Sequence, residues 1–202
     1  MHGSASLLDE VLKQHSGGGG CSGSGSELIF LGDLIDRSPA IEGDPKVMEW
    51  IWGLQQKPKR WGLAKVTVLP ANHEQRLVKA INEPIPGKAT DVWLCNSGDL
   101  ELLNCAAEHQ QWFEGLPYTA IRGNVLFILT AARPGVPLEA QTTDDLIWAR
   151  QPFLSTPHEL PSIVVHRHSI TANYQIDVKL HRSKLDTGAF RSGVLSNLRL
   201  GA

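Results

Sequence analysis

Long hydrophobic runs are missing from this chain. None approaches the roughly 18 residues that a membrane-spanning helix needs, and the longest, "VLFIL" at 125–129, suits a buried strand. Cysteine is scarce: Cys21, Cys95 and Cys105 are an odd, widely spaced set. That rules out a disulfide scaffold and the paired spacing of a thiolate metal site, so free thiols in a reducing compartment are expected. None has a basic or histidine neighbour in sequence that would mark a reactive thiolate. An excess of positive charge is also lacking. With 19 Lys+Arg against 21 Asp+Glu, the net charge of -2 argues against a nucleic-acid binder. The N-terminus lacks the basic-then-apolar layout of a secretion signal, which makes the cytoplasm the expected location and leaves membranes off the list of partners.

What is present suits a globular protein. At 202 residues and 42% hydrophobic, the chain can bury a real core, and a single domain over 1–202 is expected. "SLLDEVLKQ" sets Leu7, Leu8, Val11 and Leu12 at helical spacing, with Ser6 and Asp9 as a capping box. "HSGGGGCSGSGS" reads as a flexible loop. "DPKVMEWIWGLQQ" predicts a helix with Asp44 as N-cap, Pro45 at the first helical position, and an apolar stripe of Val47, Met48, Ile51 and Trp52. The tryptophans (Trp50, Trp52, Trp61, Trp93, Trp112, Trp148) sit mostly at helical spacings and read as core. Four apolar segments predict buried strands: "ELIFLGD", "AKVTVLPANHE", "NVLFILTAARPG" and "PSIVVHRHS". The tail, "YQIDVKL" and "KLDTGAFRSGVLSNLRL", alternates apolar with polar residues as antiparallel strands do. Helices interleaved with apolar strands give an α/β protein whose sheet is covered on both sides.

Three of those strands end in metal-ligating types. The first leads to Asp33, Asp36 and Arg37; the second to Asn72, His73 and Glu74; the fourth to His166 and His168. Sites in α/β sheets assemble at the carboxyl ends of strands. Carboxylate, amide oxygen and imidazole together suit Mn, Fe or Zn.

The blocks "GDLIDRSP", "LPANHE", "RPGVPLEAQTTDDLIWAR", "VVHRHS" and "LDTGA" occur in order, and together the chain resembles the calcineurin-like metallophosphoesterases, closest to the bacterial serine/threonine protein phosphatase branch. The resemblance runs from residue 2 to about 200. It implies a metallophosphoesterase-type β-sandwich of two mixed sheets flanked by helices, and hydrolysis of a phosphoprotein or small phosphoester without a phosphoenzyme. It implies two divalent cations, manganese first, with iron or zinc as alternatives. Asp33 would bridge both ions, with His2 on the first and Asn72 and His168 on the second. His73 would protonate the leaving group, oriented by Asp36. Arg37 would clamp the phosphoryl oxygens, with Arg150 as a second clamp and Asn72 also touching substrate.

The family pattern is incomplete here. Its first block is a strand followed by Asp, any residue, His and Gly, whereas this chain reads "MHG" at 1–3. The reading is a coding start assigned at an internal methionine, or a truncated gene, with the first strand missing and solubility impaired. A metal-binding histidine is expected after the third strand, where "FILTAARPG" places Leu129; Thr130 nearby is a poor substitute. Ser38, Ala71 and the Asn96–Gly98 "NSG" replace expected glycine patterns. Arg167 stands where a glycine is expected; it either strains the backbone and repels a cation or points to solvent. Weak metal binding and little turnover are expected. The rival readings are a non-catalytic relative that binds phosphorylated partners and a dinucleoside polyphosphate hydrolase. His109, His158 and His181 read as non-functional, His166 as a support for the ligands, and Arg133, Pro134 and Gly135 as turn residues.

Overall fold

A computed structural model of the chain describes residues 1–17, 25–40, 42–155, 160 and 163–201, with backbone alone at 15–17. The chain forms two compact units, Met1–Leu116 and Pro117–Ala202. Both carry a sheet with helices, and the architecture is mixed α/β with two sheets.

The first unit contains α1 (Ala5–Gly17), β1 (Glu27–Leu31), α2 (Gly43–Gln56), β2 (Lys65–Leu69) and α3 (Asn72–Ile81). It closes with α4 (Lys88–Leu94), α5 (Leu100–Ala107) and α6 (Gln110–Glu114). β1 and β2 pair in parallel, Glu27 opposite Lys65 through Leu31 opposite Leu69. A parallel pair needs a long crossover, and α2 supplies it. Because the register is unbroken, the loops after Leu31 and after Leu69 leave the sheet side by side. Gly32 makes that closeness feasible. It has φ +64°, and a Cβ there would lie 2.7 Å from the Ala71 Cβ and 2.9 Å from its nitrogen.

Two helix starts differ from expectation. α1 begins at Ala5, so Ser6 lies inside the helix and is not its cap. The helix also runs through His15 and Ser16, taking up the start of the segment expected to be a loop; the next part of that segment, residues 18–24 with Cys21 among them, lies outside the described residues. α2 begins at Gly43, one residue before Asp44, with Glu42 as its N-cap and no side-chain capping bond. Asp44 is therefore buried in the first turn. Leu54 completes the buried stripe of Val47, Met48 and Ile51, while Trp52 is half-buried. Of the six tryptophans only Trp93 is fully buried; Trp61 and Trp148 are exposed.

The second unit holds β3 (Thr119–Arg122), β4 (Val125–Ile128), α7 (Thr143–Ile147), β5 (Ile163–His166), β6 (Asp177–Val178), β7 (Arg182–Lys184) and α8 (Ala189–Ser192). Its strand order is β3-β4-β5-β7-β6, parallel through β4, β5 and β7 and antiparallel at both edges. The tail expectation holds only for the β6–β7 pair. "KLDTGAFRSGVLSNLRL" is not a strand beyond Lys184, because Gly188 and Gly193 adopt left-handed backbone at either end of α8. No helix among the described residues is long and apolar enough to cross a membrane.

Candidate metal centre

The chain's first three residues lie along the loop after β1. The Met1 ammonium donates to Asp33 O at 2.6 Å, and His2 N donates to the same carbonyl at 2.8 Å. Gly3 N donates to Leu34 O at 2.7 Å, and His2 Nδ1 pairs with Ile35 O at 3.0 Å. A carbonyl can only accept, so His2 Nδ1 is the donor.

The residues after β2, expected in a loop, form instead the first turn of α3. Glu74 explains how. Its carboxylate accepts from Ala71 N (2.8 Å), Leu34 N (2.7 Å), Asp33 N (3.1 Å) and Ile35 N (3.4 Å). One buried side chain thus starts α3 and fastens the Asp33 loop to it. Burial pushes the Glu74 carboxyl above its usual range, reinforced by Asp33 and opposed by His73 and the backbone donors. Ala71, at φ -117° and ψ -177°, is extended backbone that any residue adopts, so its replacing a glycine strains nothing.

His73 and Asp36 form a buried pair, with Nδ1 2.6 Å from Oδ2. Trp93 Nε1 lies 3.2 and 3.3 Å from the two Asp36 oxygens. Burial raises the Asp36 pKa, with His73 and Trp93 opposing. The pairing again directs His73 Nε2 away from its partner. The His2 and His73 rings meet edge to face, centroids 4.9 Å apart. One ligand atom each from His2, Asp33 and His73 lie within 4.8 Å of one another, and all three residues are buried. Asn72 Oδ1 is buried with no hydrogen-bond partner among the described residues, a hard oxygen of the kind a divalent cation takes. The residues of this unit therefore fit a cation, with His2, Asp33 and Asn72 from the expected set.

Backbone strain gathers on the same residues. His2 (φ 53°), Asp33 (45°), Asp36 (64°), Arg37 (58°) and His168 (80°) are all left-handed, and such strain in non-glycine residues concentrates at functional sites. Ser97, in place of a glycine, is left-handed too, at 75°. Ser38 is not; its hydroxyl sits 2.6 Å from Ala40 O and 3.1 Å from Gly3 O.

The second unit is different. Leu129 is buried, and Thr130 Oγ1 donates to Ile147 O at 3.0 Å, so neither is a ligand. His166 is buried, has no hydrogen-bond partner on either ring nitrogen among the described residues, and packs edge-on against Phe153, centroids 5.7 Å apart. It makes no hydrogen bond to His168 and is not the support expected. Burial lowers its pKa to about 4, opposed first by the Arg167 backbone and then by Asp177, with Arg182 and Lys184 adding to the shift. Arg150 Nη2 lies 3.0 Å from His168 Nε2. Arginine only donates, so Nε2 accepts. Arg167 is half-buried with ordinary backbone and donates its N–H to Leu129 O at 2.8 Å. The strain falls one residue later, on His168.

Arg37 is exposed. Arg76, on α3, was not singled out from sequence. Half-buried, it has its pKa lowered by burial, and the carboxylates of Asp36 and Asp33 act on it together with Arg37. Its place three residues after His73, on the same helix face, was the available signal. Arg133 is more than a turn residue, since its guanidinium grips both oxygens of Asp145 at 2.6–3.0 Å. His109 pairs with Glu49 at 2.8 Å and stacks on Trp52; His181 is exposed; His158 lies outside the described residues. Cys95 and Cys105 are free and exposed.

A family model, calcineurin-like phosphoesterase, matches residues 1–188, and the chain belongs to that family. Metal-dependent phosphoester hydrolysis is the family's chemistry. Two solved structures share the fold. One is described as a diadenosine tetraphosphatase, with 20% identity over 94% of this chain and 81% of that one and a TM-score of 0.59. The other is a cold-active protein-tyrosine phosphatase of a psychrophilic Shewanella, with 16% identity over 94% of this chain and 69% of that one and a TM-score of 0.62. No curated protein matches the chain.

Proposed function

We propose that the chain is a phosphomonoesterase of the serine/threonine phosphoprotein type that turns over slowly and uses a divalent cation, manganese first and iron or zinc as alternatives. The observation that carries this is the buried His73–Asp36 pair beside His2 and Asp33. His2 and Asp33 would hold a cation, which would supply charge neutralisation for the phosphoryl group and activation of water. His73 protonates the leaving alkoxide from Nε2, while Asp36 fixes the tautomer through Nδ1. Arg37 grips two phosphoryl oxygens with its planar fork, and Arg76 tightens the electrostatic hold on the same side of α3. Slow turnover follows from Leu129, which withdraws a ligand, and from Arg150, which is bonded to His168 instead of reaching for substrate. The exposed thiols Cys95 and Cys105 suit a reducing, cytoplasmic setting.

A second reading, hydrolysis of dinucleoside polyphosphates, is favoured by the likeness to the diadenosine tetraphosphatase. Manganese-dependent release of phosphate from an aryl phosphate and a phosphoserine peptide, set against release of nucleotide from diadenosine tetraphosphate, separates the two. Slow cleavage of the peptide and aryl ester is the expected result. Cleavage of the dinucleotide alone would establish the second reading, and binding of the peptide without any hydrolysis would establish a non-catalytic role.

A further inference from the structure

We infer that this chain holds one divalent cation rather than two, ligated by His2, Asp33 and His73, so that the proposed proton donor is itself a ligand in the resting protein. The inference deepens the proposed function and rests on its cation dependence.

The first support is the donor set. Two imidazoles and a carboxylate, one ligand atom from each, lie within 4.8 Å of one another in a buried cluster, a grouping that suits Fe, Mn or Zn. Each imidazole is also oriented as a ligand would be. Metal-binding histidines almost always donate their other ring N–H to a carbonyl or carboxylate, which fixes the tautomer and raises basicity. His2 Nδ1 has Ile35 O at 3.0 Å, and His73 Nδ1 has Asp36 Oδ2 at 2.6 Å. In each ring Nδ1 faces an oxygen, so Nε2 is the nitrogen that would face an ion, and the rings meet edge to face at 4.9 Å. Asp33 is set by the Glu74 carboxylate through its own backbone N–H.

The second support is independent and comes from the other unit. There the ligand positions expected for another ion are occupied by different chemistry. Leu129 has no donor atom. The His168 Nε2 lone pair accepts from the Arg150 guanidinium at 3.0 Å, a fixed positive charge at the nitrogen a cation would need. A second ion would have to displace that guanidinium and do without the Leu129 ligand.

His73 Nε2 cannot hold a proton and a cation at once. With His73 holding an ion, proton donation would need the ring to be free of it, a second reason for slow turnover.

Titration calorimetry of the full chain with manganese chloride tests the inference, alongside the visible absorption of the cobalt(II)-loaded protein. We expect one equivalent bound. His73→Gln should weaken binding at least about tenfold and change the cobalt bands, since even outer partners of ligands are worth about 10–100-fold. His168→Ala should leave affinity within about twofold, as a residue outside the ligand set. Thermal melts in chelator separate misfolding from ligand loss; if His73→Gln melts early, His73→Asn provides the same reading. Two equivalents bound, or unchanged affinity and cobalt bands in both His73 variants, would overturn the inference. One equivalent bound without any hydrolysis leaves it standing and overturns the phosphatase reading, whereas no uptake of either metal overturns both.

Discussion

Glu74 and His166 are both ionisable side chains buried almost completely, one in each unit, and their surroundings are opposite. Glu74 accepts from four backbone N–H groups drawn from two loops. Among the described residues His166 has no hydrogen-bond partner on either nitrogen, and an aromatic ring lies at its edge. A buried polar group that is fully bonded organises its surroundings, whereas an orphaned one is a standing cost. The contrast extends to the neighbours of each. In the first unit His2, Asp36 and His73 are buried and tied to defined partners; in the second, the corresponding chemistry is an apolar Leu129 and a His168 bound to Arg150. Ionisable side chains gather at the strand ends of the first unit, whereas the second unit holds Leu129 and the Arg150–His168 pair there.

That contrast can be broken most severely at Glu74. Glu74→Ala strips up to four buried N–H groups of their acceptor, and at about 1–3 kcal/mol for each unsatisfied group a loss of roughly 3–5 kcal/mol is expected after relaxation. Denaturant unfolding measures it, and a loss below about 1 kcal/mol, the scale of an ordinary surface hydrogen bond, would mean that the Asp33 loop is held by other means.

His166→Leu should act in the opposite direction. Removing an unsatisfied imidazole from an apolar setting should stabilise the second unit by about 1–3 kcal/mol. It should also change the pH response. With the folded-state pKa lowered from 6.5 to about 4, the native state binds fewer protons than the unfolded state within that window. Stability is therefore greatest above the upper value and is lost as pH falls toward the lower one. Arg182, Lys184 and Asp177 set the local field and remain in the variant. Melting curves from neutral to acid pH should show this slope in the natural chain and its loss in the leucine variant; equal slopes would remove His166 as the cause.

The smallest effect sharpens the picture within the first unit. Ser97 has φ 75°, a conformation that costs an L-residue roughly 1–2 kcal/mol. Ser97→Gly relieves it but adds freedom to the unfolded chain, so a net gain of about 0.5–1 kcal/mol is expected. A destabilised variant would show that the serine side chain contributes more than its backbone costs.

Much of the first unit was legible from residue types alone. Apolar strands ending in Gly-Asp and in Asn-His predicted where Asp33, Asn72 and His73 would lie, because a parallel, in-register pair brings its following loops together. The Glu74 role was hidden, since its four donors are backbone groups and a sequence does not display their directions. The α2 start was misread for a related reason: Asp44 followed by Pro45 is a strong capping signal, but the helix begins one residue earlier and buries the aspartate. Burial, aided by Asp36 and Asp99, raises that carboxyl to about 7. In the second unit the β3–β4 hairpin carried a readable signal that went unused, a two-residue Gly123-Asn124 loop with Gly123 at φ +55°. The tail misled because alternation persists through it while two left-handed glycines interrupt the backbone.

Anomalous diffraction at the manganese edge, from crystals of the full chain grown with manganese, tests the central claim most directly. The account predicts one peak, in contact with His2, Asp33 and His73. A peak at His168 with Arg150 turned away, or a pair of peaks with His73 free of both, would contradict it.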